Sequence, residues 1–178
     1  MPDESGFMLT PTVRRTLAPR GKTPIQYAWD RRDRISASSA ITVSPKRRRL
    51  GLYFQLLPQD AHVRGEHTVG FPRQLKRHIP GPITVVGDRG NVHDRSRVVR
   101  AFLEKHPDII TEKFPSYAPE LNPDEGVWEH VKYARLPNFA PRNTMHLRRR
   151  LHLEFRLLRK RPDLLAAFIR KTKLPKVV

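Results

Sequence analysis

Phe114-Pro-Ser-Tyr-Ala-Pro-Glu-Leu-Asn-Pro-Asp-Glu-Gly-Val-Trp-Glu-His-Val-Lys132 holds the clearest local instruction in the chain. Three prolines, Pro115, Pro119 and Pro123, keep its first half extended, because proline fixes φ and biases the preceding residue away from the α region. A helix then begins sharply: Asn122 suits the N-cap, and Pro123 suits the first helical position, where a missing N–H costs nothing. On that register Glu125, Trp128 and Lys132 fall near one helix face.

Glu125 has two readings. As a capping-box carboxylate it reaches back to the Asn122 backbone N–H. As a ligand it is a carboxylate pinned at a rigid helix start to hold a metal ion. Two further acids bear on the choice. Asp88 lies just past Ile83 to Val86, a short apolar run bounded by Pro82 and Gly87 that reads as a buried central strand. Open α/β sheets place their sites at the carboxyl ends of strands. Asp3, beside Glu4, lies in a short strand over residues 3–9. Carboxylates on neighbouring strands and a helix supply the hard oxygen ligands that Mg²⁺ takes. His93, five residues after Asp88, is a candidate DNA-contacting group.

The charge narrows the partner. The 178 residues carry 35 Lys and Arg against 17 Asp and Glu, a formal net charge of +18. Arginines cluster at Arg31, Arg32 and Arg34, at Lys46 to Arg49, at Arg148 to Arg150 and at Arg159 to Arg161. Guanidinium forks match phosphate geometry, and so large an excess concentrates polyanions near the surface. Arg47, Arg48, Arg49, Arg148, Arg149 and Lys132 are therefore candidate DNA-backbone contacts. With no cysteine, disulfides, thiolate zinc sites and a cysteine nucleophile are excluded. No apolar run reaches membrane-span length and residues 1–20 lack a signal core, so a cytoplasmic protein is expected.

Working outward, residues 10–34 read as loop. Ile35 to Val43 and Leu50 to Leu57 read as a hairpin with an Arg-rich tip. Glu66 to Ile79 is helical with a break at Pro72, its core contacts being Val69, Leu75 and Ile79. Asp94 to His106 is a helix with Val98, Val99, Phe102 and Leu103 inward, and Asp108 to Thr111 is a strand. In the tail Leu147, Leu151, Phe155 and Leu158 recur at helical spacing, and Pro162 starts a last helix with Leu164, Leu165, Phe168 and Ile169. The order β-β-β-α-β-α-β-α-α is a mixed α/β sheet with flanking helices and a helical C-terminal tail, in a single domain over 1–178.

Taken together, Asp-Glu-Ser-Gly-Phe at 3–7, Val-Val-Gly-Asp-Arg-Gly-Asn-Val-His at 85–93 and Tyr-Ala-Pro-Glu-Leu-Asn-Pro-Asp-Glu-Gly-Val-Trp at 117–128 resemble the catalytic domain of DDE transposases. Among these the chain resembles the mariner-like superfamily in its bacterial insertion-sequence branch. The resemblance implies a ribonuclease H-like fold and a catalytic, metal-binding triad of Asp3, Asp88 and Glu125 with Mg²⁺ or Mn²⁺, two ions together. It implies cleavage of transposon ends and attack of the freed 3′-hydroxyl on target DNA by a homodimer or larger assembly. Such proteins usually carry an N-terminal helix-turn-helix region, which this chain lacks. It therefore reads as N-terminally truncated, with an upstream frame supplying that segment. The alternative is an inactive remnant that only binds nucleic acid. Asp124 stands where the family motif usually has an apolar residue, and is expected either near the metals or facing solvent at N2.

Overall fold

The computed structural model describes residues 2–28, 33–46, 49–59, 65–87, 97–116 and 118–174. Among them three strands, β1 (Pro2–Met8), β2 (Arg34–Val43) and β3 (Leu50–Gln59), form an antiparallel sheet in the order β1-β2-β3. The register lines up Asp3, Ser39 and Phe54 across the three strands. A second pair, β4 (Ile83–Gly87) and β5 (Ile109–Lys113), is parallel, and β4 comes against β1. The helices are α1 (Gly65–His78), α2 (Arg97–Glu104), α3 (Asp124–His130), α4 (Thr144–Arg159) and α5 (Pro162–Lys171). α3 runs on into a wider π turn, Val131–Arg135.

The deeply buried strand is β2, whose residues 35–41 are all inaccessible. Its run Ile-Ser-Ala-Ser-Ser-Ala-Ile explains this, because small side chains let helices close on both faces. On one face Ile35, Ala37 and Ile41 join the main core with Trp128, Leu147, Leu151, Phe155 and Leu165. On the other, Ala40 meets Phe71 and Leu75 of α1. β4, expected to be the buried central strand, is only half-covered: Val85 packs with Val69, Phe102 and Ile109, while Thr84 is exposed.

Two other expectations change. Pro72 lies inside α1 without ending it. Burial of Val69, Phe71 and Leu75, each contributing about 1.5–3 kcal/mol, outweighs a proline cost of about 3 kcal/mol. In α2 the inward side is Val99, Phe102 and Leu103, while Val98 is 47% exposed. After β5 the helix expected at Asn122 and Pro123 and the two expected tail helices all form. The tail stripe itself is as expected, with Leu147, Leu151, Phe155 and Leu158 buried.

Two features seat α3, the helix that carries Glu125. Gly126 is where α5 comes closest, since a Cβ there would meet the Phe168 ring at 2.8 Å. Beyond it, the buried Glu154 carboxylate of α4 accepts from Arg135 Nε at 2.7 Å and pairs with Arg150 Nε at 2.8 Å. A buried carboxylate is tolerated only when paired in this way. Among the described residues no helix is long and apolar enough to cross a membrane.

Candidate functional site

β1 and the start of α3 meet at Asp3. Alternation along β1 turns Asp3, Ser5 and Phe7 to the face covered by α3, and Glu4, which is exposed, to the other. Asp3 Oδ2 accepts from Trp128 Nε1–H at 2.8 Å and from Asn122 Nδ2–H at 2.7 Å, while Oδ1 accepts from the Glu4 N–H at 2.8 Å. Trp128 is 4% exposed and lies edge-on to Phe7 and Phe155. Its indole therefore cannot swing away, and its N–H points at one place.

Asn122 acts in two directions. Its backbone is extended (φ −91°, ψ 105°), its Oδ1 accepts from the Asp124 N–H at 2.9 Å, and its carbonyl accepts from the Glu125 N–H. That is the cap expected at this helix start. The other end of the same amide holds Asp3. The lead into the helix is not extended throughout, since Pro119–Leu121 forms a 3-10 turn. This turn matters for Glu125: the Asn122 N–H is donated to the Pro119 carbonyl at 2.9 Å. The capping box does not form, and the Glu125 carboxylate is left available.

Glu125 is solvent-reaching, and its carboxyl is held above the usual value by partial desolvation and by the negative charge of Asp3, with Lys132 opposing both. A neighbouring negative charge raises the proton affinity of the Glu125 carboxyl, and a bound cation relieves that cost. Lys132 Nζ also sits 5.5 Å from the centre of the Phe7 ring.

Asp124 departs from both expectations. It neither faces solvent nor stands free near the carboxylates, being fully buried and accepting from Ser39 Oγ at 2.7 Å and the Ile41 N–H at 3.2 Å. It bolts α3 to the middle of β2. Burial, helped by the charge of Asp3, raises its pKa from 3.8 to about 6, against the lowering effect of those two donors. A carboxyl whose folded-state pKa is raised stabilises the fold most below its unfolded pKa, and that contribution disappears as pH rises through the folded value. In EDTA, stability is expected to fall between about pH 4 and 6, and Asp124→Asn to flatten the fall. Thermal unfolding across that range measures it; parallel profiles for the two proteins would contradict it.

The remaining expected residues divide. Asp88, His93, Arg47 and Arg48 lie outside the described residues. Arg49 and Arg149 are exposed. Arg148 turns inward, its Nη1 and Nη2 donating to the Leu57 and Leu56 carbonyls at 2.6 and 2.8 Å. Among the described residues no cluster of three or more His, Asp or Glu closes round one point. What they contribute is the pair Asp3 and Glu125. Carboxylate oxygens suit Mg²⁺ or Mn²⁺, and donors fixing the inner carboxylate are the usual support of a metal ligand. Sequence patterning put Trp128 on the helix face of Glu125 and missed the role of its N–H, although an indole beside an acid-rich motif was a usable signal.

The fold has counterparts. The chain is similar in structure to the Mos1 mariner paired-end complex with Mn (TM-score 0.68, 18% identity, covering 96% of this chain and 51% of that one). It is also similar to the Mos1 transposase paired-end complex with left transposon end (0.65, 18%, 96% and 50%) and to a pre-cleavage Mos1 transpososome (0.62, 17%, 98% and 56%). At this identity the likeness is one of fold, and the mixed α/β architecture is ribonuclease H-like. The chain spans about half the length of those solved chains. Comparison with curated proteins finds no match. A family model described as DDE superfamily endonuclease matches residues 1–147, so the chain belongs to that family.

Proposed function

We propose that this chain is the catalytic domain of a transposase, cutting DNA strands at transposon ends and joining the freed 3′-hydroxyl to target DNA. Asp3, Asp88 and Glu125 are its metal-binding carboxylates. The reading rests above all on Asp3, which Asn122 and Trp128 hold beside Glu125, 122 positions away in sequence (125 − 3). Two indifferent surface acids have no reason to be held so.

In this reading Asp3 is presented in one orientation and Glu125 stays unshared. Lys132 balances part of their charge, and the arginine-rich surface holds the phosphate backbone. Asp3, Asp88 and Glu125 would hold divalent cations, which when bound would supply positive charge at the scissile phosphate and lower the pKa of an attacking water. A Mos1 mariner paired-end complex of similar fold contains Mn, and carboxylate oxygen suits that ion as well as Mg²⁺. The active assembly is a homodimer or larger on DNA, in keeping with the paired-end arrangement of that relative.

Supercoiled plasmid incubated with the purified chain tests the reading. Open-circle product is expected with Mg²⁺ or Mn²⁺ and not with EDTA. DNA retained in both conditions without nicking would overturn it in favour of a binding-only remnant.

A further inference from the structure

The outer edge of the sheet carries a groove that the carboxylate site leaves unused. Among the described residues β3 pairs with β2 alone, so its far edge presents carbonyls with no strand to meet. Arg148 of α4 covers those of Leu56 and Leu57, and Arg159 Nε donates to the Leu52 carbonyl at 2.8 Å. The Arg159 guanidinium also lies 5.0 Å from the centre of the Phe54 ring. Both arginines are thereby anchored rather than waving in solvent. Beside them is a cavity of about 400 Å³, with Phe54 and Leu56 of β3 as its floor. Arg148, His152, Arg156 and Arg159 form one wall, and Gln74 of α1 closes the other side.

Among the described residues no acidic side chain lines the cavity. The nearest acid along α4, Glu154, is buried and taken by Arg135 and Arg150. Arg156 is exposed and has no hydrogen-bond or ion-pair partner among the described residues. Edge capping accounts for Arg148 and Arg159, yet it accounts for neither His152 nor Arg156. Positions 148, 152, 156 and 159 make one stripe along the helix, with steps of about 6 Å for each four residues. That spacing is commensurate with successive phosphates of a nucleic acid strand. An added β-strand is a poor occupant, because the carbonyls it would need are already occupied by arginine. A run of anions is a good one.

We propose that this groove binds the sugar-phosphate backbone of DNA, extending the DNA footprint across the sheet to the edge away from β4. Arg156 and His152 are its free donors, and Arg148 and Arg159 are its fixed ones. The choice of DNA as the polyanion rests on the transposase reading, while the groove itself rests on the geometry above.

The test is binding of a labelled DNA duplex to the full chain in EDTA over a range of salt, for Arg156→Ala, His152→Ala and a matched control, Arg170→Ala. Arg170 is an exposed arginine of α5 outside the groove. Arg156→Ala is expected to weaken binding several-fold and to lower the slope of log K against log salt by about 1, with a smaller loss at His152. Arg170→Ala is expected to do less on both measures. Unchanged affinity and slope at Arg156, or equal losses at Arg156 and Arg170, would overturn the groove. So would titration with inorganic pyrophosphate showing groove binding that Arg156→Ala abolishes while DNA affinity stays unchanged. Nicking by the wild-type chain in Mg²⁺ is read separately. A chain that nicks without groove dependence loses only the groove, and one that binds through the groove without nicking loses only the catalytic assignment.

Discussion

Glu125→Gln is expected to bring metal-dependent nicking down to the level seen in EDTA, with DNA affinity unchanged and the fold at least as stable as wild type. The amide keeps the size and reach of the side chain and removes only its charge. Because desolvation and the neighbouring Asp3 both raise the proton affinity of Glu125, its ionised form opposes folding. That opposition is absent below the ordinary carboxylate range and appears as pH rises through the raised value. Removing the charge should therefore leave the melting temperature level or higher at neutral pH in EDTA. Activity lost while stability is kept marks a group retained for chemistry. A variant that nicks as well as wild type would end the catalytic role, and one that melts much earlier would make Glu125 structural.

Trp128→Phe should have the next largest effect. Phenylalanine preserves most of the edge-on packing against Phe7 and Phe155 but removes the Nε1–H that Asp3 Oδ2 accepts at 2.8 Å. Only the Asn122 amide then restrains that oxygen. Groups that orient a metal-binding carboxylate are typically worth about 10–100-fold in metal affinity or activity. Nicking is expected to fall by that factor, with the metal concentration for half-maximal rate shifted upward. Mutations that only loosen the core lower the rate without moving the metal requirement. An unchanged metal titration would reduce Trp128 to a packing residue.

Much of the architecture was legible because it is written in local rules. The cap at Asn122, the tail stripe of Leu147, Leu151, Phe155 and Leu158, and the β2-β3 hairpin follow from periodicity and turn chemistry. The exceptions share a cause: they depend on what lies across the fold. Pro72 stays helical because the α1 side chains are buried elsewhere. β2 rather than β4 is the innermost strand, since its small residues admit helices on both sides. Asp124 read as an acid either near the metals or facing solvent at N2, and its partners, Ser39 and Ile41, lie more than 80 positions away. For the candidate site, the family resemblance implied Asp3 and Glu125, yet which donors orient Asp3 follows only from the packing of Trp128.

Titration of Mn²⁺ into the metal-free chain, followed by calorimetry, addresses the meeting of Asp3 and Glu125 most directly. Wild type is expected to bind the ion, and Asp3→Asn and Glu125→Gln each to abolish or severely weaken that binding. Equal Mn²⁺ affinity in all three proteins would contradict it.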